Sequence, residues 1–439
     1  MILKNVLIDK IIFKGFGLGT YQGKKVFVPF SYPGDIVDVE VISEKKDYYK
    51  ALPVNLNESK IKRIPVTCPV FTQCGGCNML DLAYPEQCDL KRQVLEDIFP
   101  DYTQLISPTQ PSPKHYSYRN KVFFPVHKVA DKIAFGMFKN LSHTVISASD
   151  CLLISPQILA IAQEICDHFN EVKEEVYEER TKKGNIRHLG FRLNSQNQVM
   201  VIIVTNKSKL AFTKTLVQRL TDKFPNIISV IQNINKADSN RIMGETDKLL
   251  FGEPYFLDTI KNKQYKLHYQ SFFQINREMA ELIYEQIKAD IAPQSVVLDA
   301  YSGVSTIGIY VADSVKQVIS VESNKWATDD AKFNITLNKS SNITVINAKL
   351  EEVFAGLIHK HQITSIVFDP PRKGLEPKIR ELIATSNLQQ IIYLSCNPTT
   401  QKRDIQDFIK AGFTISKIIP FDMFPNTYHI ESYVLLQRI

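Results

Sequence analysis

The chain predicts an α/β protein of three units: a doubly wound, Rossmann-like domain at the C-terminal end, a small β-barrel at the front and an α+β domain between them. Three observations carry this. From about residue 257, short apolar segments alternate with helical ones, the pattern of a mostly parallel sheet covered on both faces. Residues 1–57 break into short β-like runs separated by Gly and Pro turns. Residues 58–256 open with clustered cysteines and continue with mixed strand and helix signals.

In the front unit the strand-like runs are 6–12, 25–29, 36–43 and 51–56. The run Gly15-Phe16-Gly17-Leu18-Gly19 resembles a phosphate loop, but no helix follows it, so it reads as a turn between strands. Residues 84–99 predict a helix with Pro85 in its first turn and Leu90, Val94, Leu95 and Ile98 on one side. Residues 100–113 read as a linker. In the middle unit, 121–126, 192–193 and 199–204 are strand-like, and 156–172 and 210–223 helical. The last unit predicts helices at 276–289, 306–311, 325–338, 377–385 and 400–411. Its strands are expected at 296–299, 317–322, 343–347, 365–368, 390–394, 414–419 and 432–437.

The chain has 439 residues, 44% hydrophobic and 23% charged, which is ordinary for a soluble globular protein with two or three buried cores. No apolar run approaches the ~20 residues of a membrane span, and Met1–Asn5 shows no leader pattern. A cytoplasmic location, no membrane partner and a monomer are therefore expected. The net charge is +7, and residues 1–65 hold 11 Lys/Arg against 7 Asp/Glu, a mild bias that suits a polyanion.

Three strand ends carry the chemistry. Cys396 follows the run Ile391–Ser395 and precedes Asn397-Pro398, which places a thiol at the crevice where such sheets bind ligands. A buried, inert Cys is the commoner fate; the other two strand ends tip the balance. Asp299-Ala300-Tyr301-Ser302-Gly303 ends the first strand, and Glu322 ends the second, where an acid can accept hydrogen bonds from ribose hydroxyls. Position 305 is Ser, so only Gly303 and Gly308 remain of a dinucleotide-type glycine pattern. That favours S-adenosyl-L-methionine over NAD. Asp369-Pro370-Pro371-Arg372 ends the fourth strand; Arg372 stands where amine methyltransferases carry an aromatic residue, which argues for another target atom.

With these motifs in view, the chain resembles the RNA (uracil-5-)-methyltransferases, of the 23S rRNA type with a TRAM domain and an iron–sulfur cluster. The match runs through Cys68-x5-Cys74-Gly75-Gly76-Cys77, Ser271–Asn276, Asp369–Leu375, Ser395–Pro398 and Asp422–Glu431. The resemblance implies a TRAM barrel at 1–57, a central iron–sulfur domain at 58–256 and a methyltransferase domain at 257–439. It implies that Cys396 is the nucleophile that adds to uracil C6 and Glu431 the base that removes the C5 proton. Gln274, Tyr301, Gly303, Thr306, Glu322 and Asp369 would line the cofactor and uracil pockets, with Lys349 a weaker candidate. The family usually has Gly at position 305; a Cβ there could crowd the cofactor's methionine part, though Ser is small enough to be accommodated. Cys68, Cys74, Cys77 and Cys151 would hold a [4Fe–4S] cluster; on spacing alone zinc competes. Cys88 and Cys166 read as ordinary helix residues. The expected partner is RNA, 23S rRNA before tRNA, with the target uridine unstacked. Tyr118–Lys121, Arg187, His188 and Arg192 are candidates for phosphate contacts or for internal salt bridges. Phe13, Phe16, Phe27 and Phe30 are candidates for stacking on bases, with barrel core expected for most of them. A non-catalytic RNA-binding protein and a redox enzyme are the competing classes; Cys396 with Glu431 counts against the first, Ser305 against the second.

Overall fold

The computed structural model describes residues 1–140 and 142–438. Strands β1 (Ile2–Ile12), β2 (Phe16–Tyr21), β3 (Lys24–Pro29), β4 (Ile36–Glu44) and β5 (Tyr48–Glu58) close into a barrel of order β1-β2-β3-β5-β4. Its core is small and aliphatic, with Leu3, Val6, Ile8, Val26, Val28, Val37 and Val39 inside. The glycine run is not merely a turn. Only Gly15 turns, at φ +74°, and Phe16 onward is strand β2. A Cβ on Gly17 would sit 2.5 Å from the Ser31 carbonyl oxygen, and one on Gly19 2.4 Å from that of Leu7. The glycines are there because a small closed barrel brings backbones together. The phenylalanines lie outside the aliphatic core: Phe27 packs edge-on against Tyr48, Phe13 against Tyr428 and Phe30 against Phe71. The last two are docking contacts. Tyr32 reinforces them by donating its hydroxyl to Asp81 and to the Asn78 carbonyl, while Arg63 bridges Asp35 and Asp81.

Helix α1 (Tyr84–Ile98) follows the cysteine segment. Although it precedes the central sheet, it buries Leu90, Val94 and Leu95 in the core shared with the C-terminal domain. Residues 100–113 are not a free linker: a 3-10 turn is followed by single bridges from Ile106 and Gln110 to Ile418 and Phe421. The central sheet has seven strands: β6 (Lys121–Val129), β7 (Lys132–Phe138), β8 (Val145–Ser147), β9 (Ile186–Leu193), β10 (Val199–Thr205), β11 (Ile227–Ile234) and β12 (Thr246–Gly252), in the order β12-β11-β10-β9-β6-β7-β8. Helices α2 (Pro156–Glu171) and α3 (Thr213–Lys223) cover one face through Ile161, Ile165, Leu216 and Leu220. On the other face Met200, Ile202 and Val204 meet the hairpin β13 (Tyr255–Ile260) and β14 (Lys263–His268), which in turn packs on α4 (Arg277–Asp290). The hairpin crosses residue 257 and shares one core with both neighbours.

The C-terminal sheet comprises β15 (Val296–Ala300), β16 (Gln317–Glu322), β17 (Ile343–Asn347), β18 (Ser365–Phe368), β19 (Gln390–Ser395), β20 (Phe413–Phe421) and β21 (Glu431–Arg438). Its order is β17-β16-β15-β18-β19-β21-β20, parallel except for β21. Helices α5 (Thr306–Val311), α6 (Lys325–Leu337), α7 (Leu350–His361), α8 (Pro377–Ala384) and α9 (Pro398–Lys410) flank it. Helix α7 has no counterpart in the sequence reading, though Leu350, Phe354, Leu357 and Ile358 recur at helical spacing and are buried. Among the described residues no helix is long and apolar enough to cross a membrane.

The segment Asp422–His429, which leads into β21, ties the units together. Lys91 of α1 forms a fully buried ion pair with Asp422 and donates to the Phe424 carbonyl at 3.2 Å. Gln87 exchanges two hydrogen bonds with Asn426, the Tyr118 hydroxyl donates to the Pro425 carbonyl, and Asn78 accepts from the Tyr428 N–H at 2.7 Å. Removing one partner of a buried pair strands a charge in low dielectric. Lys91→Ala should therefore lower stability by about 3–5 kcal/mol in urea melts. The apolar pair Lys91→Met with Asp422→Leu should recover most of that loss.

Candidate functional site

The ends of β15, β16, β18 and β19 and the start of β21 converge on one crevice. Cys396 follows β19 directly and precedes α9, whose N-terminus favours an anion there. Because β21 runs antiparallel to β19, with Ser395 paired to Ser432, Glu431 lies beside Cys396. Asn397 Nδ2 donates to the Arg372 carbonyl at 3.0 Å, and Thr400 Oγ1 donates to the same oxygen at 3.3 Å, so the Asp-Pro-Pro-Arg turn is fastened to the cysteine loop. Burial and the Glu431 charge push the Cys396 thiol up to about 11, against the pull of the adjoining Arg372 guanidinium. Burial and the neighbouring Asp369 raise Glu431 well above the usual carboxylate range, again opposed by Arg372. Asp369 itself is raised to about 6 by burial, while the Gln274 amide, donating at 3.2 Å, holds it down.

Gln274 is positioned from the central domain. Asn120 donates from Nδ2 to the Gln274 carbonyl at 2.8 Å and from its backbone N–H to Ile275 at 2.9 Å. The Tyr118–Lys121 run is therefore mainly internal: Tyr118 and Asn120 hold loops and Lys121 is half-buried over the Phe123 ring. Arg187 and Arg192 are buried too. They donate to backbone carbonyls, of Asn235 and Ala237 in one case and of Tyr269 and Ser271 in the other, and among the described residues form no ion pairs.

The loop after β15 alternates left-handed residues, Tyr301 at φ +60°, Gly303 at +55° and Ser305 at +60°. Two of the three carry a Cβ, a strained arrangement that surrounding contacts must hold. Glu322 accepts the Gly303 N–H at 3.0 Å and the Asn324 N–H at 2.7 Å. Ser305 is wholly buried, and its hydroxyl lies 2.7 Å from that of Ser320, beside Asp299. Its side chain thus turns beneath the loop, towards Ser320 and Asp299. Gly308 makes room for this trio, since a Cβ there would lie 2.6 Å from Ser305 Oγ. Thr306 is half-buried and bonded to Tyr284 at 3.1 Å. Lys349 stands exposed at the start of α7, 3.9 Å from Glu352.

Cys68, Cys74, Cys77 and Cys151 line one enclosed cavity of about 60 Å³, together with Pro69, Phe71, Leu80 and Arg119. None of the four is in a disulfide. Burial and the neighbouring thiols push Cys77 up to about 12. Arg119 is the cation at this cavity, and its Nε has no partner among the described residues. No three His, Cys, Asp or Glu side chains among the described residues are grouped tightly enough to hold a single metal ion. Cys88 sits on α1 and Cys166 in the core under α2, both away from the cavity lining.

A family model described as tRNA (Uracil-5-)-methyltransferase matches residues 83–439, and one for the TRAM domain of tRNA (uracil(54)-C(5))-methyltransferase matches residues 5–52. The chain belongs to the RNA (uracil-5-)-methyltransferase family. Relatives of the same length include an uncharacterized RNA methyltransferase of Fusobacterium nucleatum, 36% identical over 99% of this chain and 95% of that one. Another, from Clostridium tetani, is 32% identical over 98% of this chain and 95% of that one. Among solved structures, the Pyrococcus abyssi tRNA (uracil-54, C5)-methyltransferase in complex with S-adenosyl-L-homocysteine superposes with a TM-score of 0.80 at 26% identity, covering 99% of this chain and 100% of that one. This RNA (uracil-5-)-methyltransferase is an enzyme of the α/β methyltransferase class with an N-terminal barrel.

Of the groups around Cys396, sequence reasoning noted Arg372 only as a missing aromatic and overlooked His429; both lie inside motifs it had quoted. Since Arg372 opposes the rise of the thiol, its removal should make the thiolate rarer at neutral pH. Iodoacetamide labelling of Cys396 should accelerate with pH through a midpoint above that of a free thiol. In Arg372→Gln that midpoint should move higher still.

Proposed function

We propose that this enzyme methylates uridine C5 in 23S rRNA, using S-adenosyl-L-methionine and a covalent bond between Cys396 and uracil C6. The observation that supports it most is the antiparallel placement of Glu431 beside Cys396 at the strand ends, with Arg372 and Asp369 in the same crevice. When bound, S-adenosyl-L-methionine supplies a methyl group on a sulfonium, and the fit rests on Glu322 and the Tyr301–Ser305 loop, where this family carries its cofactor. Gln274 and Asp369 would pair with the uracil edge. Addition of Cys396 to C6 as the thiolate, its proton given up to solvent, shifts the ring electrons and makes C5 a nucleophile. Once C5 carries the methyl group, Glu431 takes the C5 proton, the electron pair re-forms the C5–C6 double bond and the carbon–sulfur bond breaks. The burial that raises Glu431 strengthens it as a proton acceptor for this step.

Four thiols line one apolar cavity with the Arg119 guanidinium beside them, and four thiolates suit a [4Fe–4S] cluster. The cluster would replace the thiol protons and knit Cys151 of the central domain to the segment 68–77. The tRNA reading has its own support. The Pyrococcus enzyme, titled for tRNA uracil-54, matches this chain from end to end, barrel included, so the barrel does not by itself single out rRNA.

Cys396→Ala should lose at least about a thousandfold in methyl transfer while still binding RNA. Glu431→Gln should accumulate a methylated protein–RNA adduct; normal turnover would remove its role. With purified 23S rRNA and tRNA transcripts offered separately, nucleoside mapping should find 5-methyluridine in the rRNA; methylation of tRNA alone would reverse the preference. Anaerobically purified protein should contain about four irons per chain, lost in Cys151→Ser and kept in Cys88→Ser. Stoichiometric zinc instead would displace the cluster.

A further inference from the structure

We propose that a polar groove on the central domain, running from His429 past Lys139 to His188, holds a single-stranded stretch of the RNA that flanks the target uridine. This deepens the function proposed above and rests on it. Two adjoining hollows form the groove. The inner one, of about 490 Å³, is lined by Gly75, Gly76, Arg119, Lys139, Asn140 and His429. The outer one, of about 570 Å³, includes His127, Lys128, His143, Tyr177, Arg180 and His188. Phe138 belongs to both walls and joins them, with 40% of its surface exposed.

The inner end is continuous with the reaction centre. His429 lies two residues before Glu431, and its affinity for a proton is depressed by burial and by the positive charges of Arg372, Lys91 and Arg119. Arg372 in turn adjoins Cys396. A line of cationic groups therefore leads from the nucleophile outward through Arg119 and Lys139 to Lys128 and Arg180. Lys128 and Lys139 form no ion pair among the described residues. Glu178 and Glu179 are the acids among the described residues lining the two hollows, and Glu178 already faces Arg180 at 3.8 Å.

The lining distinguishes what the groove takes. Flexible lysines meet phosphates, and the exposed Phe138 ring and Tyr177 offer stacking faces. The Arg187 guanidinium, 4.4 Å over the Tyr177 ring, holds that ring in place. His188 buries an Nδ1 that has no partner among the described residues. Burial pushes His188 down to about 4, so its imidazole is neutral and presents one donor and one acceptor. Neutral imidazoles suit base edges, not phosphates. Stacking rings, neutral edge-readers and lysines together describe an unpaired RNA strand; a duplex hides its base edges and a protein partner has no use for the phosphate contacts.

The test is equilibrium binding of fluorescein-labelled single-stranded oligouridine to the full chain across a salt series. Lys128→Gln with Lys139→Gln should weaken binding about tenfold and reduce the log–log salt slope by about 1.4, the share of two phosphates on a single strand. Phe138→Ala should weaken binding without altering the slope. Lys214→Gln, on the opposite face of the sheet, should change neither. All four positions are surface ones, so an unchanged thermal midpoint confirms folding. Wild-type affinity and slope in the double variant, or no oligouridine binding by the wild type, would overturn the groove. The expected slope loss in the double variant, together with a wild-type chain that binds oligouridine but transfers no methyl group, would support the groove while overturning the function proposed above.

Discussion

The buried Lys91–Asp422 pair is the constraint on which the site depends. Neither partner touches solvent, so the charges hold only while α1 stays against the segment that delivers Glu431. Around that pair the same short segment collects bonds from the cysteine region, from α1 and from the start of the central sheet. A loop held on three sides loses little further freedom on binding substrate, so Glu431 is offered at a fixed place. The barrel, the thiol cavity and the central sheet thus bear on Glu431 through ordinary packing and hydrogen bonds.

Much of the C-terminal domain was readable because buried parallel strands are continuous apolar runs bounded by turn residues. Cys396, Asp369 and Glu322 were readable for a related reason: they stand where such runs stop. The failures have physical causes. Glycine looks the same whether it serves a turn or a close approach of two strands, which is why β2 was missed. A run such as Tyr118–Lys121 is silent about what it will meet: Tyr118 and Asn120 meet carbonyls of two distant loops, and Lys121 meets the Phe123 ring. The burial of Lys91 is invisible because its partner lies 331 residues away. Helix α7 is different, since its apolar spacing was plain in the chain.

The crevice balances two opposing electrostatic demands. Low dielectric raises the thiol and both carboxylates together, and three anions cannot coexist there at little cost. Arg372 offsets part of that repulsion, and its placement is secured by Asn397 and Thr400 gripping its carbonyl. The Ser305–Ser320–Asp299 trio does comparable work under the adjoining loop, where a hydroxyl pair occupies the space that Gly308 leaves open.

The reversed strand β21 has a consequence for biosynthesis. It lies between β19 and β20, although both precede it in the chain. A nascent polypeptide that has emerged only as far as Phe421 possesses its thiol but not the carboxylate, and its sheet has a gap where the next strand belongs. Pairing of Ser432 with Ser395 then fills the gap and places Glu431 by Cys396 in a single zippering event. A slip of one residue in that register would turn Glu431 to the opposite face. The thiol and the carboxylate therefore come together abruptly, late in translation, and a chain stalled or cut before residue 431 would hold Cys396 without Glu431 beside it.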